Sequence, residues 1–130
     1  MNTNEDTNLS LYDRLGGKKA IDDMVLDFYS RVLADPMLQP FFRHTDVDKL
    51  LSMQREFFTA ALDGPLPYTG KPISEAHYGH GIERRHFAQF VNHLLDTLKD
   101  VGVKETEMNQ VIGRVSVYVG DVTGSTASSG

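Results

Sequence analysis

The chain has 130 residues, a formal net charge of −5, an isoelectric point near 5.4 and no cysteine. That length suits one domain, and an acidic balance with no basic block argues against a nucleic-acid partner. Without thiols there are no disulfides, no thiolate metal site, no cysteine nucleophile and no Cys-x-x-Cys-His haem attachment.

The N-terminus, MNTNEDTNLS, lacks the basic and apolar regions of a signal peptide. No apolar run approaches the roughly 20 residues of a membrane span. A cytoplasmic protein without membrane insertion is expected. Residues 1–8 read as a disordered extension, 9–122 as the domain and 123–130 as a flexible tail.

A short helix is predicted near 10–15, with Leu11 and Leu15 one turn apart and Gly16-Gly17 ending it. Ile21, Met24, Val25, Phe28, Val32 and Leu33 then recur at helical spacing over 18–34, and Asp35-Pro36 stops that helix. Tyr29 lies on the flank of its stripe. MLQPFF is too short and Pro-broken for more than a turn or two. The stretch DVDKLLSMQREFFTAALDG predicts a helix capped by Asp46 and ending at Asp63-Gly64-Pro65. GPLPYTGKPISEAHYGHG follows, with room for one helical turn and Ser74 as its N-cap. Phe87, Phe90, Val91, Leu94, Leu95, Leu98 and Val101 mark an amphipathic helix over 83–100, ended by Gly102. Met108, Val111, Ile112, Val115, Val119 and Val122 fit a last helix, while Val115, Val117 and Val119 also alternate like a strand. No partner strand is visible, so an all-α fold with four substantial helices is the better reading.

Gln54 lies in the middle of an apolar stripe. Burying an amide without partners costs about 1–3 kcal/mol. Taken alone, it reads as a core glutamine bonded to a carbonyl or a water, and Tyr29 as a buried ring with a wet hydroxyl. Together they also suggest a small polar pocket that orients a ligand. His86 and His93 lie beside the stripe of their helix and read as surface or boundary residues. His77 and His80 have the spacing of a zinc pair but lack a third ligand at suggestive spacing. His77 sits on a short turn in a glycine-rich loop. It reads as an ordinary histidine or as the ligand of a metal carried by a cofactor.

Several stretches carry a family resemblance over residues 9–124: LYDRLGG, DFYSRVLADP, LQPFF, MQREFFTAALDGPLPYTG and SEAHYGHGIERRHFAQFVNHLLDTLKDVGV. The chain resembles the group I truncated haemoglobins, and among them the mycobacterial-type subgroup. The resemblance implies a two-over-two helical sandwich around a non-covalent haem b. It implies His77 as the proximal iron ligand, with its other ring nitrogen tied to a carbonyl or water. Phe42 matches the phenylalanine packed on the haem face. Tyr29 and Gln54 match the distal tyrosine and glutamine. Leu50 stands where vertebrate globins place a distal histidine, and Phe58 matches a residue that lines and gates an apolar ligand tunnel. Lys49 and Tyr68 match contacts to the haem propionates. Phe57, with Leu50, Phe58, Ala61 and Leu62, would exclude water and admit small apolar gases.

By the same resemblance the ligands are O2, NO and CO at a five-coordinate ferrous iron. Tyr29 and Gln54 would donate hydrogen bonds to bound O2, slowing its loss and serving oxidation of NO to nitrate. No flavin or nicotinamide fingerprint such as G-x-G-x-x-G is present, so turnover would need an external reductase. The alternative is O2 storage, delivery or sensing without turnover. Met53 stands where some relatives carry an iron-binding histidine, and His44 is a further group able to occupy the sixth site. The last helix has no histidine for a covalent haem link. The acidic N-terminal extension lacks the basic character found in some mycobacterial relatives.

Overall fold

In the computed structural model, the described residues are 9–70, 72–73, 77 and 80–124. They form helices α1 (Leu11–Arg14), α2 (Gly17–Ala34), α3 (Val47–Ala61), α4 (Arg84–Asp100), α5 (Glu105–Ser116) and α6 (Val119–Thr123), with a 3₁₀ segment at Gln39–Phe42. No strand occurs among them. The predicted extension at 1–8, the Ser74 cap and the tail beyond 124 lie outside the described residues.

Local signals set the helix ends. The Ser10 side chain accepts from the Asp13 N–H, and the Asp46 side chain accepts from the Lys49 N–H. The chain leaves α1 through Gly16 and Gly17 at φ +119° and +77°, values that side chains resist. Asp35 ends α2 in an extended conformation, as the residue before Pro36 must. After α3 the corner at Asp63-Gly64 is tight. A Cβ on Gly64 would lie 2.7 Å from Thr59 Cγ2 and 2.8 Å from Tyr12 Cδ1. The Tyr12 N–H donates to the Leu62 carbonyl at 2.8 Å, and Arg114 donates to the Ala61 carbonyl at 2.7 Å, so α1 and α5 both hold this corner.

Helix α2 packs against both α3 and α4, and α4 packs against α5 and α6. The core runs through α2 (Val25, Phe28, Val32), α3 (Phe58), the residue after α3 (Leu62), α4 (Leu94, Leu98) and α5 (Val111), all fully enclosed. Burial of each such side chain contributes roughly 1.5–3 kcal/mol.

The last segment differs from the expected continuous helix. Helix α5 stops at Ser116, and α6 begins at Val119. Val115, Val117 and Val119 flank the break; their branched Cβ atoms weaken a helix where packing does not compensate. Val117 is 73% exposed, so nothing compensates there. The break places Tyr118 against Phe57, ring centres 5.3 Å apart. Among the described residues, no helix is long and apolar enough to cross a membrane.

Candidate functional site

A cavity of about 350 Å³ opens between these helices, within the range of small-ligand sites. Eight of the residues singled out from the sequence line it: Tyr29, Phe42, Lys49, Leu50, Gln54, Phe57, Tyr68 and His77. Met53 lines it too. Phe58 is not among the lining residues; it is fully buried, edge-on to Phe28 at 6.0 Å and to Phe57 at 5.3 Å. His44 is exposed and does not line the cavity.

His77 Nδ1 lies 2.7 Å from the Ile73 carbonyl oxygen. A carbonyl only accepts, so Nδ1 is the donor here, and in the neutral ring that leaves Nε2 as the nitrogen able to bind a metal. Among the described residues, no three His, Cys, Asp or Glu side chains come together to hold a bare ion. Three histidines line the cavity, His77, His80 and His86. His80 is exposed and His86 Nδ1 is taken by the Glu83 N–H, so the half-buried, carbonyl-oriented His77 is the imidazole that fits a metal arriving with its other donors already attached.

Tyr29 is 3% exposed. Burial pushes its phenol pKa up, so it stays a protonated donor at physiological pH. Gln54 projects from the half-buried face of α3. Among the described residues, neither the Tyr29 hydroxyl nor the Gln54 amide has a hydrogen-bond partner. Both are therefore free to bond a ligand that enters the cavity.

The rim is more polar. Lys49, Thr45 and Asp46 border it. Tyr68 borders it as well, held by its segment: the Glu56 carboxylate of α3 accepts from both the backbone N–H and the hydroxyl of Thr69. These bonds hold the Glu56 pKa below the usual carboxylate range.

Some lining residues escaped the sequence reading as site residues. Phe41, Phe90 and Tyr118 line the cavity, although only their apolar periodicity or nothing at all marked them. The boundary reading of His86 needs correction. It is 8% exposed and lines the cavity, and its Nδ1 accepts from the Glu83 N–H at 2.9 Å. At the third position of α4 a side chain reaches back to the cap, a local bond that periodicity does not register. His93 is half-buried against Asp35, 2.7 Å away.

Comparison with known proteins accords with this geometry. The bacterial-like globin family matches residues 10–123. The group 1 truncated hemoglobin GlbN of Mycolicibacterium paratuberculosis is 44% identical over 107 residues, covering 82% of this chain and 79% of that one. The solved truncated hemoglobin of Tetrahymena pyriformis, Fe(III) form, superposes with a TM-score of 0.84 at 35% identity, covering 88% of this chain and 97% of that one. A Synechococcus 2/2 hemoglobin solved in the cyanomet state, with covalently attached heme, gives a TM-score of 0.85 at 32% identity, covering 89% and 99%. The fold and the apolar cavity with its carbonyl-oriented His77 are those of a globin. The chain belongs to the bacterial-like globin family and, within it, to the two-over-two, group 1 truncated haemoglobins. That family implies a haem cofactor and haem-based binding of small gaseous ligands such as O2.

Proposed function

We propose that the chain holds haem b non-covalently, binds O2, NO and CO at a five-coordinate iron, and oxidises NO to nitrate from its oxygenated form in the cytoplasm. The haem supplies reversible O2 binding and the electron that converts NO and O2 to nitrate, which leaves the iron ferric. One electron from an external reductase then restores the ferrous state, since the chain carries no flavin or nicotinamide fingerprint of its own.

The observation that carries this reading is the polar pair. Tyr29 and Gln54 line the cavity that also contains His77, and neither has a partner among the described residues. The Tyr29 hydroxyl and the Gln54 amide donate to the oxygen of a bound ligand. On the buried Tyr29 side such a bond is stronger than in water, and with the weaker one from Gln54 it slows O2 loss. His77, oriented by the Ile73 carbonyl, presents Nε2 to the iron. Phe42, Leu50 and Phe57 exclude water, Phe58 backs them from the core, and Lys49 and Tyr68 at the rim meet the propionates. The stretch from Glu105 to Thr123 has no histidine, which supports non-covalent haem.

The test is stopped-flow mixing of the oxygenated protein with NO. Rapid, stoichiometric formation of ferric protein and nitrate is expected. Slow or incomplete conversion would leave O2 storage, delivery or sensing as the function.

A further inference from the structure

Nothing polar among the described residues holds the Tyr29 hydroxyl, so its direction must come from how the ring is packed. Three aromatic rings meet it edge-on: Phe28 at 4.9 Å, Phe90 at 6.0 Å and Phe42 at 6.2 Å between centres. Phe28 is its neighbour on α2 and moves with it. Phe42 arrives on the short 3₁₀ segment. Phe90 alone of the three comes from α4, and it is itself fixed by Phe28 at 4.7 Å and Phe87 at 6.3 Å. Phe90 and Tyr29 line the same cavity.

We infer that Phe90 is a positioning residue for ligand binding, holding the Tyr29 ring so that its hydroxyl points at the bound ligand. The inference rests on the reading of Tyr29 as a donor to that ligand. A tyrosine hydroxyl lies on the long axis of its ring, so two side-chain torsions set its direction. Edge-to-face contacts are directional as well as attractive. A ring on α4 therefore stops the phenol from turning towards α4 in a way that an aliphatic side chain does not. Phe90 touches the ligand's donor through its ring packing and needs no contact with the ligand itself.

The experiment is a mutant cycle on the haem-loaded protein: Phe90→Leu and Phe90→Met, each with Tyr29 intact and with Tyr29→Phe. Two quantities are read, the O2 dissociation rate and the infrared stretch of bound CO, which reports nearby donors. With Tyr29 intact, either Phe90 substitution is expected to speed O2 loss about three- to tenfold, the range of an aromatic edge contact. It should also split or broaden the CO band as the hydroxyl samples several directions. In the Tyr29→Phe background the same substitutions should change the rate by about twofold or less and leave the band single. Phe90→Met keeps most of the volume, so a folding defect in Phe90→Leu cannot mimic the result. Equal acceleration in both backgrounds would make Phe90 a steric wall and overturn the proposal. So would an unchanged rate and band with Tyr29 intact. If Tyr29→Phe alone leaves O2 loss unchanged, the donor role of Tyr29 fails first, and the proposal falls with it.

Discussion

The α2–α4 wall of the cavity presents the Tyr29 hydroxyl and the α3 wall the Gln54 amide, neither with a hydrogen-bond partner among the described residues, and the two walls hold them differently. Helix α2 buries six residues along its length, Tyr29 among them, and that ring is met by Phe28, Phe42 and Phe90. Helix α3 fully buries only Phe58. From Val47 to Phe57 its residues are half-buried or exposed, including Gln54 and its neighbours Leu50 and Met53. A donor on the dry wall has its direction set in advance and little water to compete with. A donor on the open wall adapts to the ligand but exchanges its bond with water, which lowers its net worth. Two polar groups in one cavity are thus not equivalent.

The contrast between walls is sharpest at two consecutive phenylalanines. Phe58 is enclosed in the core, whereas Phe57 is half-buried and lines the cavity. Phe58→Ala is expected to cost about 3–5 kcal/mol of unfolding free energy, the range for removing an enclosed ring. Phe57→Ala should cost clearly less stability and instead speed haem transfer to an apoglobin acceptor. Denaturant unfolding of both variants checks this. Equal losses would mean that α3 has no distinct core and cavity faces.

A smaller effect separates the polar pair. A hydrogen bond to a charge-bearing partner is worth about 1.5–3 kcal/mol, and an ordinary one about 0.5–1.5 kcal/mol. Tyr29→Phe should therefore speed O2 dissociation by roughly 10- to 150-fold. Gln54→Leu should speed it by roughly 2- to 12-fold. Stopped-flow replacement of O2 by CO measures both. A larger effect from Gln54→Leu than from Tyr29→Phe would reverse the ranking of the walls.

Much of this architecture was legible in the sequence because its signals are local. Gly16-Gly17, Asp35-Pro36 and Gly102 end helices through backbone restrictions that depend on neighbours alone. Tyr29 and Gln54 stood out because they interrupt apolar stripes. The closing helix was not legible, since one valine-rich run satisfies both helical and strand spacing, and tertiary packing decides where it breaks. His86 was missed because its place is set by a bond from the Glu83 backbone and an edge contact with Phe41 on the distant 3₁₀ segment, neither of which a face-by-face reading registers. The bonds of Asp35 to Gln89 and His93 join residues 54 and 58 positions apart. No periodicity reaches across such a separation.

Those bonds form the charged seam of the α2–α4 wall and give the smallest predicted effect. The Asp35 carboxylate accepts from His93 at 2.7 Å, from Gln89 at 2.9 Å and from the Met37 N–H at 2.8 Å. Chiefly through the His93 bond, then those from Gln89 and Met37, its pKa falls from 3.8 to about 2. A carboxylate depressed in the folded state stabilises it above the unfolded-state pKa, and that contribution is lost as pH falls through the folded value. The stabilising contribution of Asp35 should thus be complete above about pH 4 and disappear towards about pH 2. Asp35→Asn should be less stable than the parent at neutral pH, with the gap closing only across that acid window. Urea unfolding of the two proteins at successive pH values measures the gap. A gap that persists unchanged to about pH 2 would mean that the carboxylate's shape, and not its charge, joins α4 to the end of α2.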